Sequence, residues 1–198
     1  MAPEGSAAGG PGAEGHHLAR GREGCAGLAE DPPSREAPAG ERQRCSDINH
    51  DARRGHAVRF WDSSALVPLY VDGPSTGTVR RLLDQDPDVV VWMLSIVEVL
   101  SAIARHRRSS SGADDLLHVA RHEALERWRH WSPVTHVEAV CRRAGRLVGL
   151  HPLAAADAMQ LAAALVASDD RPEMLDFVTL DHRLATAAEL EGFRVITP

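Results

Sequence analysis

Val89-Val90-Val91-Trp92-Met93 is an unbroken apolar run led by β-branched residues. A strand with no polar alternation is stable only where both of its faces are covered, as in a parallel sheet wrapped by helices. This run therefore constrains the fold more than any other segment. Residues 57–62, 176–180 and 193–197 also read as strands, and Pro133 to His136 is a candidate for one more short strand.

The stretches between these runs carry helical signals. A short helical piece, disturbed by Pro68, is expected at about 65–71. Ser75 or Thr76 is placed to cap a helix running to about 86, with Val79, Leu82 and Leu83 on one face. Asp86-Pro87-Asp88 reads as a turn. Ser95 opens a helix to about Arg107 that is apolar nearly all round, so burial is expected. Ser109-Ser110-Ser111-Gly112 reads as a loop. A long helix over about 113–131 follows, with Leu117, Ala120, Ala124, Trp128 and Trp131 at helical spacing, and Ser132-Pro133 breaks it. The two tryptophans suit either the core or a partner chain. Helices are further expected at 137–149, from Pro152 to about Ala167, and at 182–191 ahead of Gly192. Strands alternating with helices imply an α/β fold with a mainly parallel sheet covered on both faces. Right-handed crossovers then bring the C-terminal ends of the strands to one edge, where such sheets bind ligands.

Four acids interrupt or end apolar segments: Asp62, Glu98, Asp157 and Asp181. Charged side chains are seldom buried unless paired or holding a metal. Each also has a local explanation. Glu98 completes a capping box with Ser95. Asp181 is placed to cap the last helix, and Asp62 the turn after it. Asp157 answers a helix dipole, although it falls in the second turn of a helix begun at Pro152. Capping does not explain why the topology sends Asp62, Glu98 and Asp181 to the same edge. Two carboxylates about 5 Å apart repel by roughly 3 kcal/mol at an effective dielectric of 20, so a cluster demands protonation or a cation. An all-oxygen donor set suits Mg²⁺ or Mn²⁺, and hydrolysis of a phosphodiester is the chemistry such ions serve.

The first 56 residues contain no aromatic residue and few large aliphatics (Leu18, Leu28, Ile48), so a disordered tail is expected over 1–56 and one compact domain over 57–198. The tail has no apolar stretch of the signal-peptide kind. Val58 is a candidate initiator of the native protein. All 22 basic residues apart from histidine are arginine, and the net charge is −6, so any nucleic acid must be held locally rather than by the whole surface. Cys25, Cys45 and Cys141 form no CxxC pair, which fits a reducing cytoplasm. The apolar run 89–104 is broken by Glu98 and is too short to span a bilayer.

Four segments in this order resemble the PIN domain family of metal-dependent ribonucleases, most closely its VapC-type toxins. They are Phe60-Trp61-Asp62-Ser63-Ser64-Ala65-Leu66-Val67, the helix from Ser95 to Arg105 around Glu98, Ala156-Asp157-Ala158-Met159-Gln160-Leu161-Ala162, and Val178-Thr179-Leu180-Asp181. The resemblance covers the whole expected domain. It implies a three-layer α/β/α fold around a mainly parallel five-stranded sheet, and Mg²⁺-dependent cleavage of RNA. Asp62, Glu98, Asp157 and Asp181 would form the acidic cluster, with Asp62 and Asp157 dominating Mg²⁺ binding and Ser64 and Thr179 supporting the carboxylates. It also implies a cognate VapB-type antitoxin and a homodimer. Two alternatives differ in kind. A PIN-like module that binds RNA or protein without cleaving it would show no metal dependence. An Asp-Mg²⁺ phosphatase of the haloacid dehalogenase type would want an Asp where Ser64 stands. Arg105, Arg107 and Arg108 are candidates for RNA phosphates or simply suit a helix C-terminus. His118 and His122 lack the HExxH order of a zinc protease and read as a solvated or packed pair.

Overall fold

Five short parallel strands make one sheet: β1 (Arg59–Trp61), β2 (Val89–Trp92), β3 (Ser132–Val134), β4 (Asp176–Val178) and β5 (Arg194–Ile196). They lie side by side in the order β3-β2-β1-β4-β5 in a computed structural model that describes residues 58–85, 88–109 and 114–198. The expected tail over 1–56 lies outside the described residues, as do Cys25, Cys45, the Asp86-Pro87 pair and residues 110–112. In register, Phe60 stands opposite Val90 on one side and Phe177 on the other, and Trp92 stands opposite Val134.

The helices are α1 (Ser63–Leu66), α2 (Thr76–Gln85), α3 (Ser95–Ser109), α4 (Asp114–Trp128), α5 (Val137–Leu150), α6 (Ala155–Ala167) and α7 (His182–Leu190). A 3₁₀ turn at Val67–Leu69 continues α1, because Pro68 suits the first turn of a helix but cannot donate further along it. The pleat of the strands sorts the core into two layers. Phe60, Val90, Trp92 and Phe177 face α5, α6 and α7, whereas Trp61, Val89, Val91 and Val178 face α1, α2, α3 and α4. All four residues of β2 are at most 2% exposed, which is the two-sided burial its unbroken apolar run requires. Each such large side chain contributes about 1.5–3 kcal/mol through burial. Phe60 and Phe177 also stack across β1 and β4 with centroids 5.4 Å apart.

Three local expectations need correction. The helix expected from Pro152 starts at Ala155, so Asp157 stands in its first turn rather than its second. Helix α3 is not buried all round: Val97 is 58% exposed and Ser101 faces solvent, whereas Val99 and Ile103, flanked by the partly buried Ile96 and Leu100, form the stripe that meets the core. Ser95 is the first helical residue, and no capping box with Glu98 forms; its hydroxyl turns inward to Gln160 of α6. Trp128 and Trp131 meet edge to face at 6.2 Å and pack on the α3–α4 side of the core. Gly192 ends α7 with φ +98°, a value its missing Cβ makes easy.

The strand order places the site. From β1 the chain builds outward through β2 to β3, then crosses back to lay β4 and β5 on the other side of β1. The C-terminal ends of β1 and β4 are therefore neighbours at a topological switch point, where the following loops diverge and leave a crevice. Among the described residues no helix is long and apolar enough to cross a membrane.

Candidate active site at the C-terminal edge of the sheet

Asp62 follows β1 directly and is 3% exposed. Its backbone continues the ladder, its N–H donating to the Val178 carbonyl at 2.9 Å. Its side chain is the N-cap of α1 and accepts from the Ser64 N–H at 3.1 Å. The Ser64 hydroxyl at 2.5 Å and the Thr179 hydroxyl at 3.0 Å donate to the same oxygen. All three bonds go to Oδ2, and no hydrogen bond among the described residues reaches Oδ1. Ser64 and Thr179, the two residues expected to support the carboxylates, are thus both in contact with Asp62. No cation lies within 4 Å of Asp62 among the described residues. Loss of water around it pushes its pKa up to about 6 despite the three donors, and the charge of Glu98 pushes the same way.

Asp181 follows β4 and caps α7. Its Oδ1 accepts from the N–H groups of Arg183 at 2.8 Å and Leu184 at 3.1 Å. Its own N–H donates to the Thr179 hydroxyl at 3.0 Å, so Thr179 ties Asp181 to Asp62. Ser64 ties the same two loops from the other side, accepting from the Leu180 N–H at 2.9 Å. Capping in both aspartates uses one carboxylate oxygen and fixes the direction of the other. The local explanation and the functional one are therefore not rivals here, because the cap is what orients the acid.

Asp157 is the third residue of α6, and a bond from the Ala154 N–H at the start of that helix favours its charged form. Its pKa is nevertheless raised, first by partial burial and then by repulsion from Asp181; Arg183 partly offsets this. Arg183 Nη2 lies 4.0 Å from Asp181 Oδ2 and its side chain is mostly exposed. Glu98, in the first turn of α3, is half-buried, and its Oε2 accepts from the Gln160 amide at 2.6 Å. The four acids thus fall into two electrostatically coupled pairs, Asp62 with Glu98 and Asp157 with Asp181, joined through Thr179.

Gln160 carried no assigned role in the sequence reading. A signal was present, since it is the one polar residue besides Asp157 in the apolar run 153–167. Arg105, Arg107 and Arg108 are seven, nine and ten residues past Glu98 on α3, about 10–15 Å along the helix axis. His118 is exposed, as is His122, and Cys141 is an exposed free thiol.

The donor set suits a hard cation. It is all oxygen, its most buried member has no cationic partner among the described residues, and the charges of Glu98 and Asp181 raise the pKa of Asp62 and of Asp157 respectively. Among the described residues no three Asp, Glu, His or Cys side chains form a ready-made cage. Mg²⁺ needs no such cage, because it keeps several waters and binds through one or two carboxylates.

Residues 59–190 match the PIN domain family, a span that includes all four acids. Two relatives in Mycobacterium tuberculosis are each 30% identical over 136 residues, covering 69% of this chain and 92% of the relative. They are ribonuclease VapC45 of strain CDC 1551 / Oshkosh and ribonuclease VapC49 of strain ATCC 25618 / H37Rv.

Proposed function

This chain belongs to the PIN domain family, and from that premise we propose that it is a Mg²⁺-dependent endoribonuclease, the toxin of a VapBC-type toxin–antitoxin pair. One observation carries the reading. Asp62 is buried at the β1–β4 switch point, held by three hydrogen-bond donors yet by no cation among the described residues; the charge of Glu98 acts on it, and the Thr179 hydroxyl links it to Asp181, the charge that acts on Asp157.

Asp62 and Asp157 would hold the ion, and Glu98 and Asp181 would complete the acidic wall; Mn²⁺ would fit the same oxygens. The ion would supply a water of lowered pKa and stabilise charge on the phosphodiester oxygens. The chain's own residues do the rest. Ser64 and Thr179 fix Oδ2 of Asp62 and leave Oδ1 to a ligand. The α7 N-terminus fixes Asp181. Arg183, exposed beside the Asp157–Asp181 pair, offers a guanidinium to a substrate phosphate there. Without a cation the acidic wall would repel the RNA backbone.

The toxin reading brings a VapB-type antitoxin as partner, supported by likeness to the two mycobacterial VapC ribonucleases; action in the cytoplasm and a homodimer are further parts of the same proposal. An antitoxin arginine would suit the same crevice, since a guanidinium can replace the ion's charge and bond a carboxylate with two N–H groups. Incubation of the purified protein with total RNA tests the core of the proposal. Cleavage with Mg²⁺ that stops in excess chelator is expected. Binding without cleavage under both conditions would favour a non-catalytic module instead.

A further inference from the structure

Gln160 is a polar side chain in the most apolar helix of the protein. It is 1% exposed and sits among Ala158, Leu161, Ala162 and Ala163, all fully buried. A leucine or methionine would fill that place with no polar group to desolvate, whereas a buried amide is tolerable only when hydrogen-bonded. Its bonds all lead to one place. The amide Nε2 donates to Glu98 Oε2 at 2.6 Å and approaches the Ser95 hydroxyl at 2.9 Å, while Oε1 lies 3.2 Å from that hydroxyl. Ser95 is fully buried as well. Gln160 stands three residues after Asp157 on α6, so one helix carries both an acid of the cluster and the amide that grips another acid on α3. Among the described residues Glu98 Oε1 has no hydrogen bond, which parallels Oδ1 of Asp62: one oxygen is tied back and one is left over.

We propose that Gln160 is a positioning residue for the cation site, holding Glu98 by Oε2 so that its other oxygen serves the ion beside Asp62. This rests on the reading of the site as a divalent-cation centre. The alternative role, a plain clamp between α3 and α6, would affect stability without changing ion affinity.

Gln160→Met keeps the volume and removes the amide. Loss of such an outer partner typically weakens metal binding or activity by about 10–100-fold. In Gln160→Met we expect Mn²⁺ affinity, read from the free-ion paramagnetic resonance signal, to fall at least about tenfold. The turnover number on RNA should fall by a similar factor, with the KM for RNA little changed. Gln160→Leu repeats the test should the methionine variant fold poorly. Ser95→Ala removes the other partner but leaves the Gln160–Glu98 bond, and it should keep Mn²⁺ affinity within about twofold; a mere clamp would respond alike to both changes. Wild-type Mn²⁺ affinity and turnover in folded Gln160→Met would overturn the inference while leaving the nuclease reading intact. A wild-type protein that neither binds Mn²⁺ nor cuts RNA would overturn both.

Discussion

Asp62 ends β1 at one edge of the sheet, and Asp176 begins β4 at the other; they are 3% and 6% exposed. The two edges treat them differently. Asp176 meets a guanidinium on both oxygens, with Arg194 Nε bonding Oδ1 and Arg194 Nη2 bonding Oδ2, and Arg59 Nε stands 3.9 Å away. Asp62 meets two hydroxyls and a backbone N–H, which steady its geometry but bring no charge. A buried carboxylate already neutralised by arginine is a structural pair. A buried carboxylate solvated only by neutral donors keeps its demand for a cation. The comparison therefore assigns chemistry to one edge and cohesion to the other.

The contrast is broken most simply by removing each charge. Asp62→Asn and Asp157→Asn should each lower RNA cleavage at least about a hundredfold, since losing a ligand costs more than losing its outer partner. Asp176→Asn, equally buried, should cut at close to the wild-type rate. Comparable losses in all three variants, measured as initial rates on one RNA, would erase the distinction.

Stability sharpens it. Asp62 has its folded pKa raised from 3.8 to about 6, so its contribution is fully present below pH 3.8 and is lost as pH rises through about 6. In metal-free protein at pH 7.5 the ionised form therefore costs up to about 3 kcal/mol, at 1.36 kcal/mol per pH unit. Asp62→Asn keeps the hydrogen-bond acceptor without the charge. It should be more stable than wild type at pH 7.5, and the gap should close by pH 4. Urea unfolding in chelator at the two pH values checks both the sign and the window. Asp176→Ala should act in the opposite sense, losing about 1–3 kcal/mol at neutral pH, because it strands the guanidiniums that met the carboxylate. The lower part of that range is expected, since the Arg194 side chain is mostly exposed.

The sheet and its acidic edge were legible in the sequence because the unbroken apolar run at 89–93 leaves few alternatives to a doubly covered strand, and strand signals at 57–62 and 176–180 each lead into an aspartate. The strand order was not. It depends on which side of β1 the later strands add, and that is decided by packing such as Phe60 on Phe177. Helix ends were legible only where the cap was local. Asp181 caps α7 as its position predicted, whereas Ser95 abandons its capping box for Gln160, a partner 65 residues away. Pro152 misled because proline also suits an extended connector, and the three alanines from 154 carry no start signal. That shift by one turn is what placed Asp157 near a helix N-terminus. Judged singly, capping explained some acids and left others odd; in the fold Asp62 and Asp181 cap the helices that follow them, whereas Glu98 and Asp157 stand in first turns without being the cap.

The central claim is that Asp62 is a buried charge waiting for a cation, and the melting temperature against Mg²⁺ concentration at pH 7.5 tests it most directly. An ion that binds only the native state stabilises it by about 2.7 kcal/mol at one hundred times its Kd. Wild type should therefore melt progressively higher as Mg²⁺ is added, and Asp176→Asn should follow it. Asp62→Asn should start higher in chelator and gain little. A wild-type melting temperature that ignores Mg²⁺, or an Asp62→Asn variant that responds as wild type does, would contradict the account.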